Sequence, residues 1–127
     1  MKEVRALIVD DSSVMRKIVE RSLRQAGLEF LIVFEAGSGL DGLEVLKSRQ
    51  VDLILSDINM PLMDGLEFLR QIHRMGLAAG VPVVMITTES SEEHVKQAIL
   101  AGARGYIRKP FTADQVKQRV LPLLDQG

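Results

Sequence analysis

Residues 51–57, VDLILSD, set Leu53, Ile54 and Leu55 side by side and then stop on an acid, Asp57. A strand with one wet face alternates apolar and polar residues. An unbroken apolar run of this length reads instead as a strand buried on both faces of a parallel sheet. Four more runs flank it at intervals of roughly 20 to 30 residues: ALIVD (6–10) and FLIVFEA (30–36) before it, VPVVMITT (81–88) and GYIRK (105–109) after it. The segments between them have helical spacing. Met15, Ile18, Val19, Leu23 and Ala26 fall on one helix face, as do Leu66, Leu69 and Ile72, and Val95, Ala98 and Ile99.

Start and stop signals agree. Ser90 with Glu93 and Thr112 with Gln115 stand at capping-box spacing, and Asp64 with Glu67 resembles it. Gly27, Gly76 and Gly102 lie just past the expected helix ends. Five β-α alternations predict an α/β fold, a doubly wound five-stranded parallel sheet with right-handed crossovers. Pro122, in VKQRVLPLLDQG, removes a backbone donor and biases Leu121 away from helical geometry. The last helix is therefore expected to end or kink there, with a reshaped docking edge as the alternative.

Bulk composition bounds the function. At 127 residues, with no linker, repeat or low-complexity tract, the chain reads as one domain over 1–127 with no output domain. Sixteen basic and 17 acidic residues give a net charge of -1, without a nucleic-acid or membrane footprint. No Cys is present, which excludes disulfides, thiolate metal sites and cysteine nucleophiles. The start, MKEVRALIVDD, runs into two acids and is no signal peptide. A cytoplasmic, monomeric protein is expected.

The chemistry lies where polar residues interrupt the apolar runs. Asp10 and Asp11 end the first strand, Asp57 the third, Thr87 the fourth and Lys109 the fifth. In an open α/β sheet the carboxyl ends of the strands share one edge, and ligands bind there. Unit charges ~4 Å apart repel by about 4 kcal/mol at an effective dielectric near 20, so three gathered carboxylates call for a cation. With oxygen donors only, that cation is a hard one such as Mg²⁺. Lys109 adds a fixed positive charge and Thr87 a hydroxyl donor. Together they describe a site that receives a phosphoryl group on a carboxylate.

The segments VDDSSVMRKIV, SDINMPLMDGLE, VMITTESSE and GARGYIRKPFTADQ resemble the receiver domains of two-component response regulators, above all the CheY-type chemotaxis receivers. The resemblance runs from Leu7 to about Val120 and implies a flavodoxin-like (βα)5 sheet with strand order 2-1-3-4-5. It implies that Asp57 accepts a phosphoryl group from a histidine kinase. Asp10, Asp11 and Asp57 would hold Mg²⁺ together with the backbone carbonyl of Asn59. Thr87 and Lys109 would contact the phosphoryl oxygens, and the Lys109–Pro110 bond would be cis. Tyr106 would turn inward as a switch when Thr87 moves. The helix from Ser91 to Ala101, the strand holding Tyr106 and the helix after Thr112 would form the partner-binding face. Such a protein is a phosphoacceptor that phosphorylates and dephosphorylates itself, not an enzyme acting on other substrates.

Two positions depart from that pattern. Ile58 stands in place of an aromatic and is expected to make the site rim smaller and more aliphatic. Thr88 stands where small residues are common and would narrow access. Asn59 and Glu89 match the positions that tune hydrolysis, and fairly rapid self-dephosphorylation is expected. His73 and His94 read as surface residues.

Three other readings compete. A flavodoxin-like electron carrier needs an uncharged, hydroxyl-rich phosphate loop, whereas Asp10 and Asp11 would repel a flavin phosphate. A haloacid-dehalogenase-like phosphatase needs a further acid two residues past Asp10, where Ser12 stands. A degenerate receiver would lack site positions that are all present here. For the output, a downstream flagellar motor switch protein is favoured over a histidine phosphotransfer protein in a phosphorelay.

Overall fold

The computed structural model describes residues 3–88 and 91–124. In chain order the elements are β1 (Val4–Val9), α1 (Ser13–Gln25), β2 (Phe30–Ala36), α2 (Gly39–Ser48), β3 (Leu53–Ser56), α3 (Gly65–Arg74), β4 (Val83–Thr87), α4 (Glu92–Leu100), β5 (Gly105–Arg108) and α5 (Ala113–Leu124). All pairings are parallel and the strand order is β2-β1-β3-β4-β5. This is the order that the resemblance implies.

The unbroken apolar runs become central strands, as their composition requires. Every residue of β3 and β4 is buried. Two cores result, one on each face of the sheet. Leu43, Leu46, Leu66, Phe68, Leu69 and Ile72 cover one face from α2 and α3, with Ala98 from α4. Val19, Leu23, Val116 and Val120 cover the other from α1 and α5. Each covering helix therefore runs back from the carboxyl edge of the sheet toward its amino edge.

Two of the expected face residues are not buried. Ile18 is 42% exposed and Ile99 58%. At ~100° per residue Ile18 lies about 90° from the centre of the arc formed by Met15, Val19, Leu23 and Ala26, too far round to reach the sheet.

The caps explain most helix boundaries. Ser12, Ser38 and Asp64 each accept a bond from a backbone N–H in the first turn of the helix that follows. Thr112 and Gln115 form a reciprocal box: the Thr112 N–H donates to Gln115 Oε1 at 2.9 Å and the Gln115 N–H to Thr112 Oγ1 at 3.2 Å. Thr112→Ala is expected to lower unfolding stability by about 1 kcal/mol, read as a shifted urea midpoint at unchanged slope.

At α4 the cap is Ser91, which accepts from the His94 N–H; the expected cap, Ser90, lies outside the described residues. Pro122 does not end its helix, for α5 continues to Leu124. Pro122 and Gln118, whose carbonyl loses a donor, are both exposed residues.

β2 is an outer strand, with Leu31 61% and Ile32 43% exposed. Its register slips by one residue at Leu31, between the pairs Val4–Phe30 and Arg5–Ile32. The Arg24 guanidinium sits 5.0 Å from the Phe30 ring centre and Arg49 5.9 Å from that of Phe34.

Candidate functional site

Parallel register aligns the strand ends, and backbone bonds lash them together just beyond the strands. The Asp10 N–H donates to the Ala36 carbonyl at 3.1 Å, Asp57 N–H to Val9 at 3.0 Å, and Lys109 N–H to Thr87 at 2.8 Å. Residues 10, 57, 87 and 109 thus stand in a row along the carboxyl edge of the sheet.

Asp10 is buried, with 4% exposure. Its Oδ1 accepts the Ser12 N–H at 2.9 Å, and its Oδ2 lies 3.1 Å from Lys109 Nζ. The same ammonium lies 3.5 Å from Asp57 Oδ2. Asp57 Oδ1 accepts the Ile58 N–H at 2.8 Å and the Asn59 N–H at 3.4 Å. Its two oxygens are therefore distinct, one tied to backbone amides and one facing Lys109. Burial raises the Asp57 pKa above the ordinary carboxylate range. The Asp10 charge adds to that rise, while Lys109 and the two backbone amides oppose it.

Asp10, Asp11 and Asp57 each offer a carboxylate oxygen within 4.8 Å of the others. Among the described residues their combined charge faces one ammonium, that of Lys109. This all-oxygen, partly buried set fits a hard divalent cation and does not fit a soft metal.

The remaining expected residues fall as follows. Thr87 is fully buried at the end of β4, and Asn59 is exposed beside Asp57. Tyr106 is half-buried in β5, opposite Met85, against the core on the α2–α4 face. Thr88 is exposed, and Glu89 lies outside the described residues. The Lys109–Pro110 bond is cis. His73 is exposed, while His94 is half-buried with its ring Nδ1 2.6 Å from Ser91 Oγ.

Ile58 differs from expectation. It is 3% exposed and belongs to the core beneath the site, so it does not shape the rim. The chain turns sharply at this point, sending Asp57 to the edge and Ile58 inward.

Two residues that support the site were missed in the sequence. Arg16 donates through Nη1 to the Asp10 carbonyl and through Nε to Glu35 Oε1 at 2.9 Å. Lys17 Nζ reaches the other Glu35 oxygen at 2.9 Å. The Arg-Lys pair at the start of a helix behind two acids was the available signal. Gly65 is the second. A Cβ there would fall inside van der Waals contact of the Asp57 carbonyl, and its N–H donates to the Ile58 carbonyl at 2.7 Å.

The Lys17 bond, followed by that of Arg16, holds the Glu35 pKa below its ordinary value despite some desolvation. A depressed carboxyl stabilises the fold above its unfolded pKa and loses that contribution as pH falls through its folded value. Glu35→Gln is thus expected to lower stability by about 0.5 kcal/mol at pH 7, discounted for exposure. The difference should fade below about pH 4 in urea titrations.

The sequence profile of the response regulator receiver domain matches residues 6–121. Chemotaxis protein CheY-3 of Vibrio cholerae is 42% identical over 119 residues, 94% of this chain and 90% of that protein. Chemotaxis protein CheY of Pseudomonas aeruginosa is 36% identical over 123 residues, 97% of this chain and 98% of its own length. The solved structure of the chemotaxis response regulator CheY4 of Vibrio cholerae matches with a TM-score of 0.83 at 32% identity, over 97% of this chain and 100% of that one. A CheY-like receiver domain protein of Methanospirillum hungatei matches with a TM-score of 0.84 at 30% identity, over 98% and 96%.

Proposed function

The chain belongs to the response regulator receiver domain family, with CheY-type relatives, and from that premise we propose that it is a cytoplasmic phosphoacceptor whose acceptor is Asp57. The observation that carries the reading is the meeting of three carboxylates and Lys109 at one strand edge. An Asp57 oxygen attacks the phosphorus of a kinase phosphohistidine; the P–O bond forms, the P–N bond breaks, and the leaving imidazole takes a proton. The partial desolvation of Asp57 is matched to this role, since a solvated carboxylate is the poorer nucleophile.

Mg²⁺ would be held by Asp10, Asp11 and Asp57 with the Asn59 backbone carbonyl, and when bound it offsets charge on the transferred group. Lys109 holds its own charge beside Asp57 before and after transfer, and Thr87 supplies a hydroxyl to the phosphoryl oxygens. Phosphorylation adds roughly two negative charges. Drawing Thr87 and Lys109 toward them moves the ends of β4 and β5, and Tyr106 with them. The face made by α4, β5 and α5 then changes its affinity for a partner. Chemotaxis names among the relatives favour a flagellar motor switch protein as that partner over a histidine phosphotransfer protein.

Wild-type protein with acetyl phosphate and Mg²⁺ is expected to gain about 80 Da by intact mass. The gain should vanish on adding EDTA before the phosphodonor. Proteins captured only by the phosphorylated chain then identify the output, and an adduct indifferent to EDTA would refute the metal-dependent reading.

A further inference from the structure

A second feature lies on the helices α3 and α4, apart from the site residues. α3 and α4 lie on the same sheet face, and their carboxyl-terminal halves enclose a groove of ≈ 460 Å³ lined by Arg70, His73, Gln97, Leu100 and Ala101. The His73 ring packs against the Cα of Gly102, so closely that no Cβ fits there. This contact fixes the floor of the groove.

Its charge is lopsided. No acidic side chain lines it. His73 and Arg74 occupy the last turn of α3, where the helix dipole accounts for cations. Arg70 stands one turn earlier, beyond the reach of that effect. Among the described residues it forms no ion pair, not even with Glu67 three positions before it. On α4, the Glu93 carboxylate accepts from the Gln97 amide at 3.2 Å.

Leu100, 77% exposed, forms one wall of this groove and also belongs to a neighbouring apolar hollow of ≈ 380 Å³ lined by Glu92, Val95, Lys96 and Ile99. An unpaired guanidinium beside a contiguous aliphatic ridge is complementary to a carboxylate followed by an apolar side chain.

We propose that the α3–α4 groove docks an acidic segment of a partner protein, with a carboxylate on Arg70 and an aliphatic side chain against Leu100. The segment enters from the α3 side of α4, so this surface adjoins the switching face described above and adds the α3 residues Arg70 and His73 to it. None of the site residues lines the groove, and the proposal stands or falls independently of Asp57.

A displayed library of random peptides panned against the full chain, without phosphodonor, tests it. The enriched peptides are then measured by fluorescence anisotropy. They are expected to pair Asp or Glu with an aliphatic residue, and to bind about tenfold more weakly to Arg70→Ala and to Leu100→Ser. Arg70→Gln serves as a second replacement, and both positions are exposed, so the fold persists. Binding to Lys47→Ala, an exposed position on α2, should match wild type. Three outcomes would overturn the proposal: no enrichment, enrichment without acids, or binding within twofold of wild type in Arg70→Ala. Self-association of the chain that is lost in Arg70→Ala, with no peptide bound, would assign the groove to a second copy and overturn it equally.

Discussion

Asp57→Asn protein incubated with acetyl phosphate and Mg²⁺ is expected to show no mass gain, whereas wild type gains about 80 Da. The amide keeps the shape of the side chain and an oxygen for the Ile58 N–H, which lies 2.8 Å from Oδ1. What it lacks is the carboxylate oxygen that faces Lys109 at 3.5 Å. Neither neighbour substitutes well. Asp10 has both oxygens engaged, by the Ser12 N–H and by Lys109, and it is 4% exposed. Asp11 is exposed, and neither the Ile58 N–H nor the Asn59 N–H, both bonded to Asp57, orients its carboxylate. An adduct persisting on Asp10 or Asp11 would show that the acceptor has been misassigned.

The same variant should unfold later than wild type in metal-free buffer, by about 1 kcal/mol, because one of three clustered charges is gone. Added Mg²⁺ should stabilise wild type more than the variant. The contrast between the two buffers separates electrostatic relief from a general packing effect.

Gly65→Ala is the second large effect, and here the fold itself fails. In an ordinary helix this change stabilises by up to ~1 kcal/mol, since glycine is the poorer helix former. At position 65 the new methyl would meet the Asp57 carbonyl oxygen, with Ile58 Cα at 2.8 Å and Met85 Cε at 2.7 Å. The Met85 methyl can swing aside. The Asp57 and Ile58 backbone cannot, because the Asp57 N–H is bonded to Val9 and the Ile58 carbonyl to Gly65 itself. Steric cost therefore outweighs propensity, and a net loss of about 3 kcal/mol is expected in urea unfolding. Any folded remainder should also accept phosphate slowly, since the displaced atoms are those that aim Asp57. A variant as stable as wild type would mean that the α3 start is looser than its contacts indicate.

The architecture was legible because strands buried on both faces leave an unmistakable mark: Leu53-Ile54-Leu55 and Val83-Val84-Met85-Ile86 have no polar interruption. The location of the site was legible for a related reason, since a polar residue ending such a run must stand at a sheet edge. Side-chain direction was harder to read. Ile58 follows Asp57 directly, and the signal for its direction was strand alternation, which puts it on the same core face as Ile54. Ile18 and Ile99 counted as apolar face residues, yet each sits at the margin of its helix arc, where the sheet no longer reaches. Gly65 carried no signal of its own, because its importance lies in a carbonyl pressed against its Cα. Pro122 lies inside α5, which does not end at it but runs on to Leu124.

The offset at Leu31 has a consequence for the behaviour of the molecule in crowded solution. A strand with six apolar residues out of seven at the rim of a sheet is otherwise a template onto which like strands add. The one-residue slip bends that rim, and the guanidinium groups above Phe30 and Phe34 place like charges where incoming copies would stack. Fibrous growth from this rim is thereby discouraged at its first step.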